Sequence, residues 1–122
     1  MHTAFIVVSM LLALEMAVVG APKVVQLSAV RASAEHLGVG VALDRTIGVA
    51  QMAAAAGLLL GIAFPALSVV TGAAVCLLMC GAIGYHIKAH DKIMAMLPAV
   101  VTAAVAVVIV VLAAGTAATT NL

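Results

Sequence analysis

The sequence predicts an all-α integral membrane protein built as a four-helix bundle, and its composition, its apolar runs and its one-sided positive charge support that prediction. Of its 122 residues, 67% are hydrophobic and 7% are charged. This number of charged side chains is too small to cover the surface of a soluble domain of this size. The apolar surface is therefore expected to face lipid. We interpret residues 1–122 as a single transmembrane domain.

Four apolar runs are long enough to cross a bilayer as helices. A hydrocarbon core of about 30 Å needs roughly 20 helical residues, and the runs cover residues 3–20, 46–64, 66–85 and 97–117. Each run should be helical, because unpaired backbone groups in lipid cost several kcal/mol.

Turn and cap residues mark the predicted ends of these spans. Gly20 to Pro22 should end or kink span one, and Asp44 should cap the start of span two. Pro65 falls in the connection between spans two and three, and Pro98 suits the first turn of span four. No Lys or Arg precedes span one and Glu15 interrupts it, so we expect a retained span and not a cleaved signal peptide.

All the lysines and arginines lie in two of the connections. The first connection contains Lys23, Arg31 and Arg45, and the third contains Lys88 and Lys92. These two connections share one side of a four-span chain. The positive-inside rule then predicts a plasma (inner) membrane protein with both connections cytoplasmic and both termini extracytoplasmic. A net charge of +1 leaves too little positive charge for nucleic-acid binding.

The first connection is too apolar for a free linker. Between Lys23 and Leu43, apolar and polar residues alternate at roughly helical spacing up to Gly38. This pattern predicts a short amphipathic helix at the headgroup boundary between spans one and two.

Glu15 is the most informative single residue, because a carboxylate within a span normally faces a bundle interior and is functional by default. Gln51 in the antiparallel second span should lie at a similar depth, so the two side chains are expected to meet. Tyr85 and His86 end span three at this level, with Lys23 just below.

The five residues predict a polar cluster near the cytoplasmic side. Glu15, Gln51 and His86 are the candidate catalytic residues, with the carboxyl group as proton carrier or general acid/base. Lys23 and Tyr85 are the candidate substrate-binding residues. The structural alternative for Glu15 and Gln51 is an interhelical hydrogen bond worth roughly 1 kcal/mol.

Other patterns favour packing over chemistry. Cys76 and Cys80 share a helix face without the spacing or the nearby cation of a redox dithiol, so we interpret them as small packing residues. The pair Gly57 and Gly61 fits close helix packing, within the bundle or between protomers. The histidines show no spacing typical of a metal site, and no cofactor is evident apart from a candidate quinone.

The chain resembles the DoxX-like family of small four-span membrane proteins through short motifs whose order and spacing match. These motifs are Gly20-Ala-Pro-Lys23, His36-Leu-Gly38, Arg45-Thr-Ile-Gly48-Val-Ala-Gln51, Gly57-Leu-Leu-Leu-Gly61, Met79-Cys-Gly-Ala-Ile-Gly-Tyr-His86 and a proline before span four. Relatives commonly have Glu where this chain has Gln51, which weakens proton chemistry at that position. The resemblance implies a membrane bundle more firmly than one activity, because family members resemble subunits of thiosulfate–quinone oxidoreductases, partners of redox-stress complexes and membrane chaperones.

Three functions stay open at this stage. The first is binding of a small lipophilic molecule such as a quinone, or a role as membrane subunit of a redox complex. The second is a membrane-embedded isomerase, cyclase or hydrolase that uses Glu15 on a lipophilic substrate. The third is a proton-coupled small multidrug exporter, which the scarcity of aromatic residues and the complete charge bias disfavour. Expected partners are membrane lipid, a lipophilic ligand, and either a second copy of the chain or a redox protein in or on the membrane.

Overall fold

The computed structural model describes residues 2–119, with side chains up to Thr116, and this part of the chain is entirely helical apart from short connections. The helices are α1 (His2–Val25), α2 (Ser28–Leu37), α3 (Val41–Gly61), α4 (Pro65–Lys88) and α5 (Ile93–Thr119). All except α2 are long and apolar enough to cross a membrane. The predicted all-α membrane bundle is confirmed, and α2 is the amphipathic helix expected between spans one and two.

Helix α1 does not end at Gly20 to Pro22, where the sequence predicts an end or a kink. It passes through Pro22 and ends at Val25, where the Leu27 amide donates to the Pro22 carbonyl at 3.1 Å. Continued helix satisfies backbone groups that a turn inside the membrane would leave unpaired. As a result Lys23 lies on the helix and not in a connection.

Two further boundary predictions are wrong. Helix α3 begins at Val41 with Gly40 as its N-cap residue, so Asp44 lies within the helix and does not cap it. Helix α5 begins at Ile93, which puts Pro98 in its second turn instead of its first. Pro65 is the first residue of α4, where its missing N–H costs no helical hydrogen bond.

The four long helices form a ring in the order α1, α3, α4, α5. The most extensive packing joins α1 to α3 and α4 to α5, while α3–α4 and α1–α5 contacts complete the ring. The lysines and arginines lie at one end of this ring, on or next to the connections that flank α2 and the connection between α4 and α5. We call this end the basic end. Helix α2 also lies there, packed sparsely against α1, α3 and α4.

Two glycines bring α1 and α3 into close contact near the basic end. A Cβ on Gly48 would lie 2.7 Å from the Lys23 Cβ and 2.9 Å from the Gly20 carbonyl oxygen. A Cβ on Gly20 would lie 2.9 Å from the Gln51 Cβ. No side chain fits between the two backbones here, so the glycines fix the positions of Lys23 and Gln51 relative to each other.

A second close contact joins α3 to α4 near the opposite end. Gly57 faces Thr71, and Gly61 faces Ser68. The Gly57–Gly61 pair therefore packs within the bundle. Between these contacts the centre is filled by fully buried apolar side chains, chiefly Phe5, Met16, Leu58, Val75 and Ile109.

Candidate functional site

A partly open cavity of about 430 Å³ lies at the basic end and is lined by residues of α1, α2, α3 and α4. Its walls are mainly aliphatic, with contributions from Val19, Val30, Ile47 and Leu78. Its polar lining consists of Lys23, Ser33, Asp44, Gln51, Tyr85 and His86. A mostly apolar space with a few polar groups is typical of small-molecule sites, which usually measure about 300–1,000 Å³.

Lys23 and Gln51 form the polar centre of this cavity. The Lys23 Nζ donates to the Gln51 Oε1 at 3.0 Å, and Gln51 is only 2% exposed. Since the amide oxygen accepts this bond, the amide nitrogen remains as a donor. That nitrogen makes no hydrogen bond within residues 2–116.

Asp44 lies beside this pair and balances the charge of Lys23. Its carboxylate accepts a hydrogen bond from the Gln26 Nε2 at 2.7 Å, and the same Nε2 donates to the Lys23 carbonyl at 2.7 Å. Asp44 is 6% exposed, and its charge acts on the Lys23 ammonium. At the junction of α1 and α2, Gln26 has a positive φ of 56°, which is uncommon for a residue other than glycine. The residue that hydrogen-bonds to Asp44 therefore has a strained backbone.

His86, at the edge of the cavity, belongs to a second polar group. The Asp91 Oδ2 lies 2.7 Å from the His86 Nδ1, and the Asp91 Oδ1 lies 2.7 Å from the His36 Nε2. These hydrogen bonds hold the pKa of the Asp91 carboxyl below its ordinary value. The cluster ties α2 to the end of α4 through the α4–α5 connection, and we call it the His–Asp–His clasp.

Glu15 lies apart from the cavity lining. The Thr102 hydroxyl on α5 lies 2.9 Å from each of the two Glu15 carboxylate oxygens and is the hydrogen-bond donor. Val19, one helical turn closer to the basic end, does line the cavity. Glu15 is therefore about 6 Å further along the helix axis than the nearest cavity residue of α1, at a rise of 1.5 Å per residue.

The structure brings together four of the five residues expected to form one cluster. Lys23, Gln51, Tyr85 and His86 all line the cavity. The expected contact of Glu15 with Gln51 does not occur. Glu15 bonds to Thr102 on α5, whereas Gln51 on α3 bonds to Lys23 on α1. Similar depth in the membrane does not determine which neighbour a side chain faces.

Sequence reasoning missed several residues of the two polar groups and the hydrogen-bond partner of Glu15. The sequence predicts that Asp44 caps a helix, and it gives no prediction for Gln26, Asp91 or Thr102. An available signal for Asp91 was its place five residues after His86, across the end of a helix. Thr102 gave a weaker signal, as the lone polar residue in residues 97–115 of span four.

The cysteines lie outside the cavity lining. Both are free; the Cys76 thiol contacts the Ala103 carbonyl oxygen at 3.6 Å, and Cys80 is exposed on the outer surface of α4. This arrangement agrees with a packing role for Cys76. Across residues 2–116, no three His, Cys, Asp or Glu side chains are grouped so as to hold a metal ion.

The chain matches known proteins at the level of a family. The model of the DoxX-like family matches residues 7–113, which include α2, α3 and α4 entirely and most of α1 and α5. No curated protein matches the chain. No solved structure matches it either.

Proposed function

This chain belongs to the DoxX-like family, and from that premise we propose that its cavity binds one small lipophilic molecule of the quinone class. The observation that carries the proposal is the cavity of about 430 Å³ whose aliphatic walls surround the buried Gln51 and the half-buried Lys23. With this ligand the chain would act either on its own as a quinone-binding membrane protein or as the membrane subunit of a redox complex.

The charge balance of the cavity favours an uncharged ligand. Lys23 supplies one positive charge and Asp44 one negative charge, and Gln26 holds the carboxylate in place at 2.7 Å. A fatty-acid anion would add an uncompensated charge in a low-dielectric space, which is costly. A neutral carbonyl carries no such penalty.

The hydrogen-bonding groups favour an acceptor on that ligand. The Gln51 amide nitrogen and the Tyr85 hydroxyl are donors without partners in residues 2–116, and the Lys23 ammonium has donors to spare beyond its bond to Gln51. A quinone carbonyl oxygen placed between them would satisfy these donors. Each hydrogen bond to a ligand is worth about 0.5–1.5 kcal/mol, so a matching acceptor gives both affinity and orientation.

The cavity also offers a path for an apolar tail. Leu77 lines the cavity and is 74% exposed on the outer surface of α4, and Gly81 lines it one turn further on. No other group lies within 4 Å of a Cβ built on Gly81. An isoprenoid or alkyl chain would pass from the cavity into the lipid at this point on α4.

We further propose that the basic end faces the cytoplasm, as the positive-inside rule indicates. A ligand would then reach the cavity from the inner leaflet. Arg45→Cys and Thr3→Cys are made one at a time in a protein without the native cysteines and are treated with an impermeant maleimide. Arg45→Cys should react in inside-out vesicles, and Thr3→Cys should react in right-side-out vesicles. The reverse pattern would place the cavity at the outer leaflet.

Two alternative functions receive less support from the same geometry. An enzyme that uses Glu15 as acid or base needs that carboxylate beside the substrate, whereas Glu15 is bound to Thr102 and outside the cavity lining. A cation exporter needs aromatic walls, and Tyr85 is the one aromatic residue in the cavity lining.

The proposal is tested by equilibrium binding of decylubiquinone to the purified protein in nanodiscs. Gln51→Leu removes the buried amide while preserving the volume of the side chain, and it should weaken binding about tenfold. Met52→Leu, at the neighbouring exposed position on α3, is the matched control and should bind like the wild type. Equal binding by wild type and Gln51→Leu would overturn the proposal.

A further inference from the structure

We infer that α2 is a movable cover over the cavity, and that the His–Asp–His clasp holds it closed. This inference names the regulation of the proposed binding site and therefore rests on the proposed function for its biological meaning. The opening and closing of α2 is inferred only from its position, its packing and its contacts.

The position of α2 is that of a cover. Val30, Ser33, Ala34 and Leu37, on one face of α2, all line the cavity. Of these, only Ala34 is buried. Helix α2 thus closes one side of a space whose other sides are built from α1, α3 and α4.

The attachment of α2 is weak in comparison with that of the spans. It packs sparsely on each of its three neighbours, whereas α1 packs extensively on α3 and α4 on α5. A ten-residue helix with one buried side chain has little apolar contact to hold it in place. Elements with few buried contacts open at low free-energy cost, independently of the rest of the fold.

Both ends of α2 contain a residue that can act as a hinge. Gln26 precedes the helix with φ 56°, and Gly38 follows it with φ 74°. A Cβ built on Gly38 would meet nothing within 4 Å, so the segment around it has room to move. Hinges are typically a few residues at the ends of elements that absorb changes in backbone angles.

Besides the chain itself, one side-chain contact within residues 2–116 ties the C-terminal end of α2 to the α4–α5 connection. His36 near the end of α2 meets Asp91 at 2.7 Å, and the other oxygen of Asp91 meets His86 of the cavity wall at 2.7 Å. The side chain of His36 is 60% exposed, so water competes for this contact. Solvent-exposed pairs contribute modestly, and a cover held by one of them opens often.

The test measures opening without any ligand. A thiol introduced by Ala34→Cys, in a protein that also has Cys76→Ser and Cys80→Ser, is buried when α2 is closed. Its rate of reaction with a water-soluble maleimide reports opening. Ser33→Cys in the same background is the reference, because Ser33 is exposed in the closed form.

Breaking the clasp should speed this reaction. His36→Ala and Asp91→Ala should each raise the rate at position 34 about two- to fivefold, as expected for loss of an exposed pair. The rate at position 33 should not change. Glu35→Gln, which alters the neighbouring exposed residue of α2 outside the clasp, is the matched control and should leave both rates unchanged.

Two results would overturn the inference: equal rates at position 34 with and without the clasp, or equal rates at positions 33 and 34 in the protein with the clasp intact. A ligand measurement separates this failure from that of the proposed function. If decylubiquinone binds, His36→Ala should also speed its dissociation. If the quinone does not bind but the thiol rates respond to the clasp, the cover is supported and the proposed ligand is wrong.

Discussion

Glu15 on α1 and Thr102 on α5 are 87 positions apart in the sequence, yet the threonine hydroxyl lies 2.9 Å from both oxygens of the carboxylate. This contact joins the first and last spans of the ring. It also gives a carboxylate inside the membrane its one hydrogen-bond donor within residues 2–116. The pair is thus a structural link between spans whose other packing is limited.

Removing the donor alone should destabilise the bundle. Thr102→Val keeps the shape of the side chain but leaves the Glu15 carboxyl group unsatisfied, which costs about 1–3 kcal/mol. Replacing both partners, with Glu15→Met and Thr102→Val together, should recover most of that loss because neither polar group remains. Unfolding in mixed micelles with increasing denaturing detergent measures the free energies of unfolding.

Thr46→Val is the control for this experiment, because the Thr46 hydroxyl bonds to the Ala42 carbonyl of its own helix at an exposed position. It should change the stability by less than about 0.5 kcal/mol. A structural role for the pair would be contradicted if Thr102→Val and Thr46→Val unfolded alike.

The close contact of α1 with α3 should not tolerate an added methyl group. Gly48→Ala would place a Cβ 2.7 Å from that of Lys23 and 2.9 Å from the Gly20 carbonyl, and overpacking of this kind costs about 1–3 kcal/mol. Gly81→Ala on α4, where the new Cβ meets nothing within 4 Å, should instead be neutral or stabilising by up to about 1 kcal/mol. Equal effects of the two alanines on the free energy of unfolding would refute the close contact.

The phenol of Tyr85 should contribute to ligand affinity without contributing to stability. Its hydroxyl makes no hydrogen bond within residues 2–116, and it lines the cavity. Tyr85→Phe should weaken decylubiquinone binding about three- to tenfold, through loss of one neutral hydrogen bond. The thermal unfolding midpoint should stay at the wild-type value; a lowered midpoint would instead indicate a structural role for the hydroxyl.

The clasp should respond to acid through Asp91. The pKa of this carboxyl is lowered by its hydrogen bonds to His36 and His86, so the folded state favours the ionised form. Its contribution to stability is therefore complete above the unfolded-state pKa of about 3.9 and disappears as the pH falls through the lower folded-state value. The difference in unfolding free energy between wild type and Asp91→Ala should shrink from about pH 5 to about pH 3.

Glu35→Gln controls for the general loss of negative charge on acidification. The difference in unfolding free energy between Glu35→Gln and wild type should not show the pH dependence expected for Asp91→Ala. An Asp91→Ala difference that grows on acidification below about pH 4 would contradict the assignment.

Hydrophobicity was enough to predict the spans but not all of their ends. Runs of about 20 apolar residues must become helices in lipid, so the existence of α1, α3, α4 and α5 follows from the sequence. The end of α1 at Val25 and the start of α3 at Val41 were missed, because local cap signals at Pro22 and Asp44 compete with the need to pair backbone groups. Tertiary contacts with Gln26 then use Asp44 for a different purpose.

Depth in the membrane was also predictable, but direction around the helix axis was not. Counting residues from the helix ends put Gln51, Tyr85 and His86 at one level with Lys23 just below, and these four line one cavity. The same count put Glu15 beside Gln51, whereas Glu15 is directed towards α5. A chain without aromatic or charged patterning on its helix faces gives little information about which helices are neighbours.

The sequence by itself determined that this protein is a membrane bundle of four long helices with all its lysines and arginines at one end, because hydrophobic length and charge placement act on each segment separately. The tertiary structure alone decided that Glu15 belongs with Thr102, that Asp44 balances Lys23, and that His36, Asp91 and His86 join α2 to the cavity. These relationships depend on the order of helices in the ring and on close contacts such as that of Gly20 with Gly48. Packing of that kind is a property of several segments together, and no single segment encodes it.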